Sequence, residues 1–266
     1  MRATLALIRS SWLSARSYRL RLLGSIASLL LTVVPLYFVA NALQPVMADS
    51  IAGEGSQYFA FLMLGMVTFL LIPVAVQTLP GEIGSGINSG WLEALLGTRA
   101  SLPALLAGLM GFGLIWAALR ATIMLIGGWV LGASIMWSRA GSAILIMALI
   151  VLAYLPIGLI GSAMVIAFRT TGPLPRVVMV VSALLGGVYY PTQVIPSWIQ
   201  SVSGFVPLTY GLRALRATML EGLPLADVLP DLGILSVFIV TLSAIGWGAL
   251  VLALRHARRA GTLTQY

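Results

Sequence analysis

The chain contains no cysteine, no lysine and a single histidine, and only seven of its 266 residues are carboxylates. Without cysteine, disulfides, thiolate metal sites and cysteine nucleophiles are excluded. Without lysine there can be no P-loop, which requires Gly-x-x-x-x-Gly-Lys-[Ser/Thr], and no Schiff base. One histidine, His256, cannot build a His-pair metal site. The chain is therefore not expected to hydrolyse ATP by itself or to carry a metal. Charge is scarce as well: 8% of residues are charged, against about 25% in a soluble domain. Hydrophobic residues make up 60%, and the mean hydropathy is +1.04. Such a chain cannot cover a water-facing surface, so it reads as an integral membrane protein.

Six apolar stretches approach the length of a helical span, roughly 22–43, 58–79, 104–136, 142–168, 174–191 and 232–254. The third is too long for one straight crossing, so it is expected to tilt, to protrude or to bend at Gly127-Gly128. No internal repeat or low-complexity linker divides residues 1–266, which read as one membrane domain. A cleaved leader is the competing reading of the first stretch, since Ala40-Asn41-Ala42 imitates a small-x-small site. Its apolar run is too long for a signal core, which spans about 7–15 residues.

All fifteen basic residues are arginine, and eleven fall in the N-terminal segment, the second and fourth connections and the tail. The opposite side holds Arg139, Arg213 and Arg216, while Arg120 lies within the third span. The positive-inside rule then predicts both termini in the cytoplasm of a cell or bacterial inner membrane. No nucleic-acid partner is expected.

The seven carboxylates, Asp49, Glu54, Glu82, Glu93, Glu221, Asp227 and Asp231, are all expected in connections. A proton- or sodium-coupled transporter keeps a carboxylate or histidine near mid-membrane, so ion coupling is disfavoured. Arg120 has two readings. It is a cation for an anionic headgroup in an internal cavity, or a structural arginine that snorkels or bonds neighbouring carbonyls.

Three segments are apolar without spanning. In residues 1–21 an apolar stripe of Leu5, Ile8, Trp12 and Ala15 is edged by Arg2, Arg9 and Arg16. This suits an interfacial helix anchored by Arg9, Trp12 and Arg16. In the second connection, 81–102, a Gly-rich run precedes a short helical stretch from Trp91 to Leu96, with Ser101 and Pro103 opening the next helix. Trp91, Leu92, Leu95 and Leu96 share a face that either floats in the interface or inserts into a partner. In the last connection, 191–231, Pro196 and Pro207 each start a short amphipathic helix, the pair dipping into the outer leaflet. Leu208, Leu212, Leu215 and Met219 form the apolar face of the second helix, with Arg213 and Arg216 expected off it.

These segments, in this order, resemble the membrane subunit of ABC-2-type exporters. Two stretches carry the likeness. One is Gly90-Trp-Leu-Glu-Ala-Leu-Leu-Gly-Thr-Arg-Ala-Ser101, after Glu82. The other is Gly186–Gly222, with Gly-Val-Tyr-Tyr-Pro, Ile-Pro-x-Trp and Pro-Leu-Thr-Tyr-x-Leu-x-Ala-Leu-Arg elements. The resemblance implies that 81–102 carries a coupling helix docking on a separate nucleotide-binding subunit, which holds ATP and Mg. Trp91, Leu92, Leu95 and Leu96 would fill its groove and Glu93 would pair with a basic residue there. Glu82, Thr98 and Arg99 flank that contact. It also implies a dimer, with a pathway lined partly by the second and fifth spans and Tyr189 and Tyr190 as gate candidates. An aromatic belt at headgroup level is the other reading of the tyrosines. Gly128-x-x-x-Gly132, Ser182-x-x-x-Gly186 and Ala244-x-x-x-Gly248 are candidate close-approach faces.

The expected fold is thus all-α and polytopic. The expected function is a permease subunit of an ATP-driven exporter with membrane lipids around it and an amphipathic cargo: a lipid, a lipid-linked glycan or a hydrophobic drug. Two rivals stand beside it. A lipid-modifying enzyme lacks the convergent acids or bases it needs, and a non-transporting scaffold leaves the docking-like helix unexplained.

Overall fold

The computed structural model describes residues 12, 19–91, 97 and 101–260, with the side chains of 19–23, 26, 258 and 260 excepted. Within these residues the protein is all-helical, without strands. The helices are α1 (Arg19–Ile51), α2 (Tyr58–Phe69), α3 (Ile72–Asn88), α4 (Leu102–Val130), α5 (Ala140–Phe168), α6 (Leu174–Leu185), α7 (Ser197–Ser203), α8 (Pro207–Met219) and α9 (Leu229–Ala260). Five segments among the described residues are long and apolar enough to cross a bilayer: α1, α2 with α3, α4, α5 with its preceding turn, and α9. With large apolar side chains exposed on all of the single-helix spans among these, the chain is a multi-pass membrane protein.

The second span is divided because Pro73 sits in the first turn of α3. It cannot donate a helical hydrogen bond, and the chain turns at Leu70–Leu71, where Leu71 N–H donates to Thr68 O at 3.1 Å. This span also runs further than its hydropathy predicts. The Gly-rich stretch expected as a loop is helical to Asn88, and the chain leaves the helix at Gly90 with φ +73°. Close packing explains why weak helix formers stay helical there. A Cβ on Gly161 of α5 would lie 2.9 Å from Pro80 Cγ, and one on Gly158 would lie 2.5 Å from Ala75 O. On the far side of α5, Gly246 of α9 would put a Cβ 2.6 Å from Pro156 O. Helices α3, α5 and α9 thus form a tightly packed three-helix seam.

The third span stays helical through Gly127-Gly128. Helix α4 runs through the pair to Val130, and Gly128 makes room for Met63 of α2, whose Cε would lie 2.5 Å from an added Cβ. The fifth expected span is corrected more deeply. Helix α6 has 12 residues, about 18 Å at 1.5 Å per residue, short of the roughly 30 Å hydrocarbon core. Among the described residues the six-span expectation therefore meets five segments of spanning length and one shorter apolar helix. Beyond Leu185 the backbone carbonyls serve other partners. Gly187 O and Val188 O accept from Arg216 at 2.8 and 3.3 Å, and Tyr189 O accepts from Tyr58 Oη at 2.9 Å. This irregular backbone is stable because protein groups satisfy its carbonyls.

Residues 52–57, 131–139 and 186–225 meet at one end of the bundle. Gln57 donates to Gly132 O at 3.0 Å and accepts from Ser134 N–H at 2.8 Å. Met136 N–H donates to Met219 O at 2.9 Å. The first, third and last connections therefore lie together, the parity that alternating spans require. The two Pro-initiated helices of the last connection form as expected, with Leu208, Leu212, Leu215 and Met219 all buried.

Candidate functional site

The most strongly built polar feature was not anticipated from the sequence. Arg216, expected off the buried face of α8, is 1% exposed and pairs with Glu54 (2.9 Å), a carboxylate expected in a solvated loop. Its guanidinium lies 3.3 Å from the Phe61 ring centroid and donates also to Phe61 O at 3.3 Å. Burial lowers its pKa from the ordinary arginine value to about 10, and Glu54 acts in the opposite direction. The guanidinium therefore stays charged near neutral pH, tying α2, α8 and the end of α6 together. Gly65 belongs to the same junction, because a Cβ there would lie 2.3 Å from Val188 O. The one signal in the sequence was Arg216 three residues after Arg213 on a helix with no other charge. Arg213 does stay half-exposed and pairs with Asp231 in the first turn of α9.

Below this junction a cleft of about 660 Å³ opens between α3 and the segment leading through α6. Gln77, Thr171 and Arg176 supply its polar groups, and Pro80, Met179 and Val180 its apolar walls. Gln77 Nε2 donates to Met179 Sδ at 2.7 Å across it. A side-chain bond between Tyr154 and Ser182 (2.7 Å) fixes α6 against α5 on its other side. The cleft presents amide, hydroxyl and guanidinium groups beside hydrocarbon walls, a surface able to hold an amphipathic molecule.

The other sequence-derived residues are distributed as follows. Tyr189 is 37% exposed and Tyr190 half-buried, both on the irregular segment after α6 at the junction end. Arg120 is half-buried on α4, and its buried Nε has no hydrogen-bond partner among the described residues. It shares a helix face with Gly113 and Gly127, which approach Thr78 of α3 and Leu30 of α1. Glu82 is not in a connection but exposed on the last turns of α3. Asp49 and Asp231 likewise lie in the end turns of α1 and α9. Trp91 packs with Ile87 and Leu102 against a core shared by α3, α4, α5 and α9. Leu92, Glu93, Leu95, Leu96, Thr98 and Arg99 lie outside the described residues, as do Arg9 and Arg16. Trp12 is half-exposed and meets Phe112 of α4 edge to face at 6.2 Å.

Comparison with known proteins gives this architecture a family. The family described as ABC-2 type transporter matches residues 2–220. Nodulation protein J of Rhizobium leguminosarum bv. viciae is 27% identical over 191 residues, 70% of this chain and 72% of that protein. Its counterpart in Rhizobium leguminosarum bv. trifolii is 28% identical over 190 residues, 70% and 71% of the two chains. The linearmycin resistance permease protein LnrN of Bacillus subtilis is 24% identical over 184 residues, 69% of this chain and 47% of that protein. The chain belongs to the ABC-2 type transporter family, as a transmembrane subunit.

Proposed function

We propose that two copies of this chain form the translocation pathway of an ATP-driven exporter, with ATP and Mg bound by a separate ATPase subunit. The observation that carries this reading is the cleft between α3 and α6, where Gln77, Thr171 and Arg176 stand among apolar walls in a chain devoid of P-loop chemistry. Its polar and apolar lining suits an amphipathic cargo with an anionic or hydrogen-bonding head: a lipid, a lipid-linked glycan or a hydrophobic drug. A relative named for drug resistance accords with outward transport.

In this reading the 91–96 helix docks on the ATPase. Leu92, Leu95 and Leu96 enter its groove and Glu93 pairs with a basic residue, while Trp91 anchors the helix by packing against the core shared by α3, α4, α5 and α9. ATP-driven closure of the ATPase pair pulls on this helix and switches the dimer from inward to outward access. The dimer uses the Ala244-Gly248 face of α9, since Ala244 is exposed and an added Cβ on Gly248 meets open space. Gly128 and Ser182, by contrast, are engaged inside the protomer. The chain sits in the plasma membrane with both termini cytoplasmic and the Glu54–Arg216 junction outside, as the arginine distribution favours.

The test is Glu93→Arg in the complex reconstituted into vesicles. Cargo efflux is expected to fall at least tenfold, the loss of a charge-assisted contact worth about 1.5–3 kcal/mol, while the variant still purifies folded. Coupled transport at the parental rate would refute the docking assignment.

A further inference from the structure

A second cavity among the described residues lies apart from the α3–α6 cleft. Between α4 and α5 runs a trough of about 540 Å³, within the roughly 300–1,000 Å³ range of small-ligand sites. It shares no lining residue with the α3–α6 cleft. Ala118 and Leu125 form one wall and Ile144, Ala148 and Leu152 the other, with Leu71 at the back. Both walls are helices long and apolar enough to span a membrane, so the trough opens on hydrocarbon, not on water.

One end of the trough differs chemically from the rest. Trp137 lines it there and meets Trp129 edge to face at 5.9 Å. Arg139 closes the same short turn, and its Nε donates to Gly222 O at 3.1 Å, which holds the guanidinium at that end. Glu221 is exposed beside that acceptor, but among the described residues no carboxylate forms an ion pair with Arg139. A dry slot with indoles at the rim and an uncompensated cation beyond them matches one class of molecule, a phospholipid. The acyl chain lies in the slot and the phosphate meets the guanidinium.

We propose that the α4–α5 trough is a resident-lipid site seating one acyl chain of an anionic phospholipid, with its phosphate on Arg139. The proposal rests on the membrane placement of α4 and α5 and is independent of the cargo.

The full-length protein in mild detergent, equilibrated with equal amounts of palmitoyl-oleoyl phosphatidylglycerol and phosphatidylcholine, is examined by native mass spectrometry. The parental protein is expected to retain phosphatidylglycerol over phosphatidylcholine by about fivefold, the preference one arginine confers near a membrane surface. Arg139→Gln should bring that ratio to near one while lipid is still retained. Ala148→Trp fills the slot from an exposed position and should abolish retention at unchanged elution volume and thermal midpoint. Ala118→Trp, exposed on the facing wall, gives the same reading if the first variant folds poorly. Retention that survives a folded tryptophan variant, or a headgroup ratio unmoved by Arg139→Gln, would overturn the proposal.

Discussion

At the scale of single residues, Arg216 and Glu54 dominate. A buried ion pair gains little over a well-packed apolar pair, yet removing one partner strands a charge, at a cost of about 3–5 kcal/mol. Arg216→Met alone is therefore expected to lower thermal stability in detergent strongly. Combining it with Glu54→Gln should restore part of the loss, since neither site then holds a charge. A double variant as unstable as the sum of its singles would show that the pair is not coupled. Sequence reading missed the junction for a definite reason. Glu54 and Arg216 are 162 positions apart, and helical periodicity shows which face a residue lies on but not what covers it. Arg120 was legible as an oddity, and its buried Nε, unpartnered among the described residues, keeps it one. Arg120→Ala should change transport at unchanged yield if the cation meets cargo. A fall in folded yield with normal transport per molecule would identify a structural arginine.

At the scale of elements, the long apolar runs were readable because about 20 apolar residues can hardly be anything but a span. Their ends were not. Helix α3 continues through Gly84 and Gly86 because α5 packs against this end of it, a tertiary constraint that outweighs propensity. Helix α6 stops early because Arg216 and Tyr58 take the carbonyls of Gly187, Val188 and Tyr189. The seam gives a direct comparison of two glycines. Gly158→Ala drives a methyl to 2.5 Å from Ala75 O, so it should cost about 1–3 kcal/mol by overpacking. Gly248→Leu meets open space within the protomer, so it should leave thermal stability unchanged and shift the proposed dimer toward monomer. Thermal melts and mass photometry read both. A stable Gly158→Ala protein would contradict the seam, and an unaltered dimer in Gly248→Leu would remove α9 from the interface.

At the scale of the whole molecule, the chain is a transmembrane subunit of the ABC-2 type transporter family. It lacks lysine and hence a P-loop. Membership of the ABC-2 type transporter family, spanning residues 2–220, accords with energy supplied by another subunit. The shared end of the first, third and last connections gives the bundle two chemically different poles. One is braced by Glu54, Arg216 and two short helices, and the other is rich in arginine. The arginine distribution predicts the arginine-rich pole on the cytoplasmic side, a bias that acts during insertion and leaves no packing signature. In the proposed mechanism a separate ATPase drives this subunit. The most direct measurement is gentle purification of the tagged full-length protein from its native membrane, followed by quantitative mass spectrometry of the co-eluting chains. A P-loop ATPase at one copy per copy of this chain is the expected result. An intact, dimeric permease that elutes without any ATPase would contradict the account.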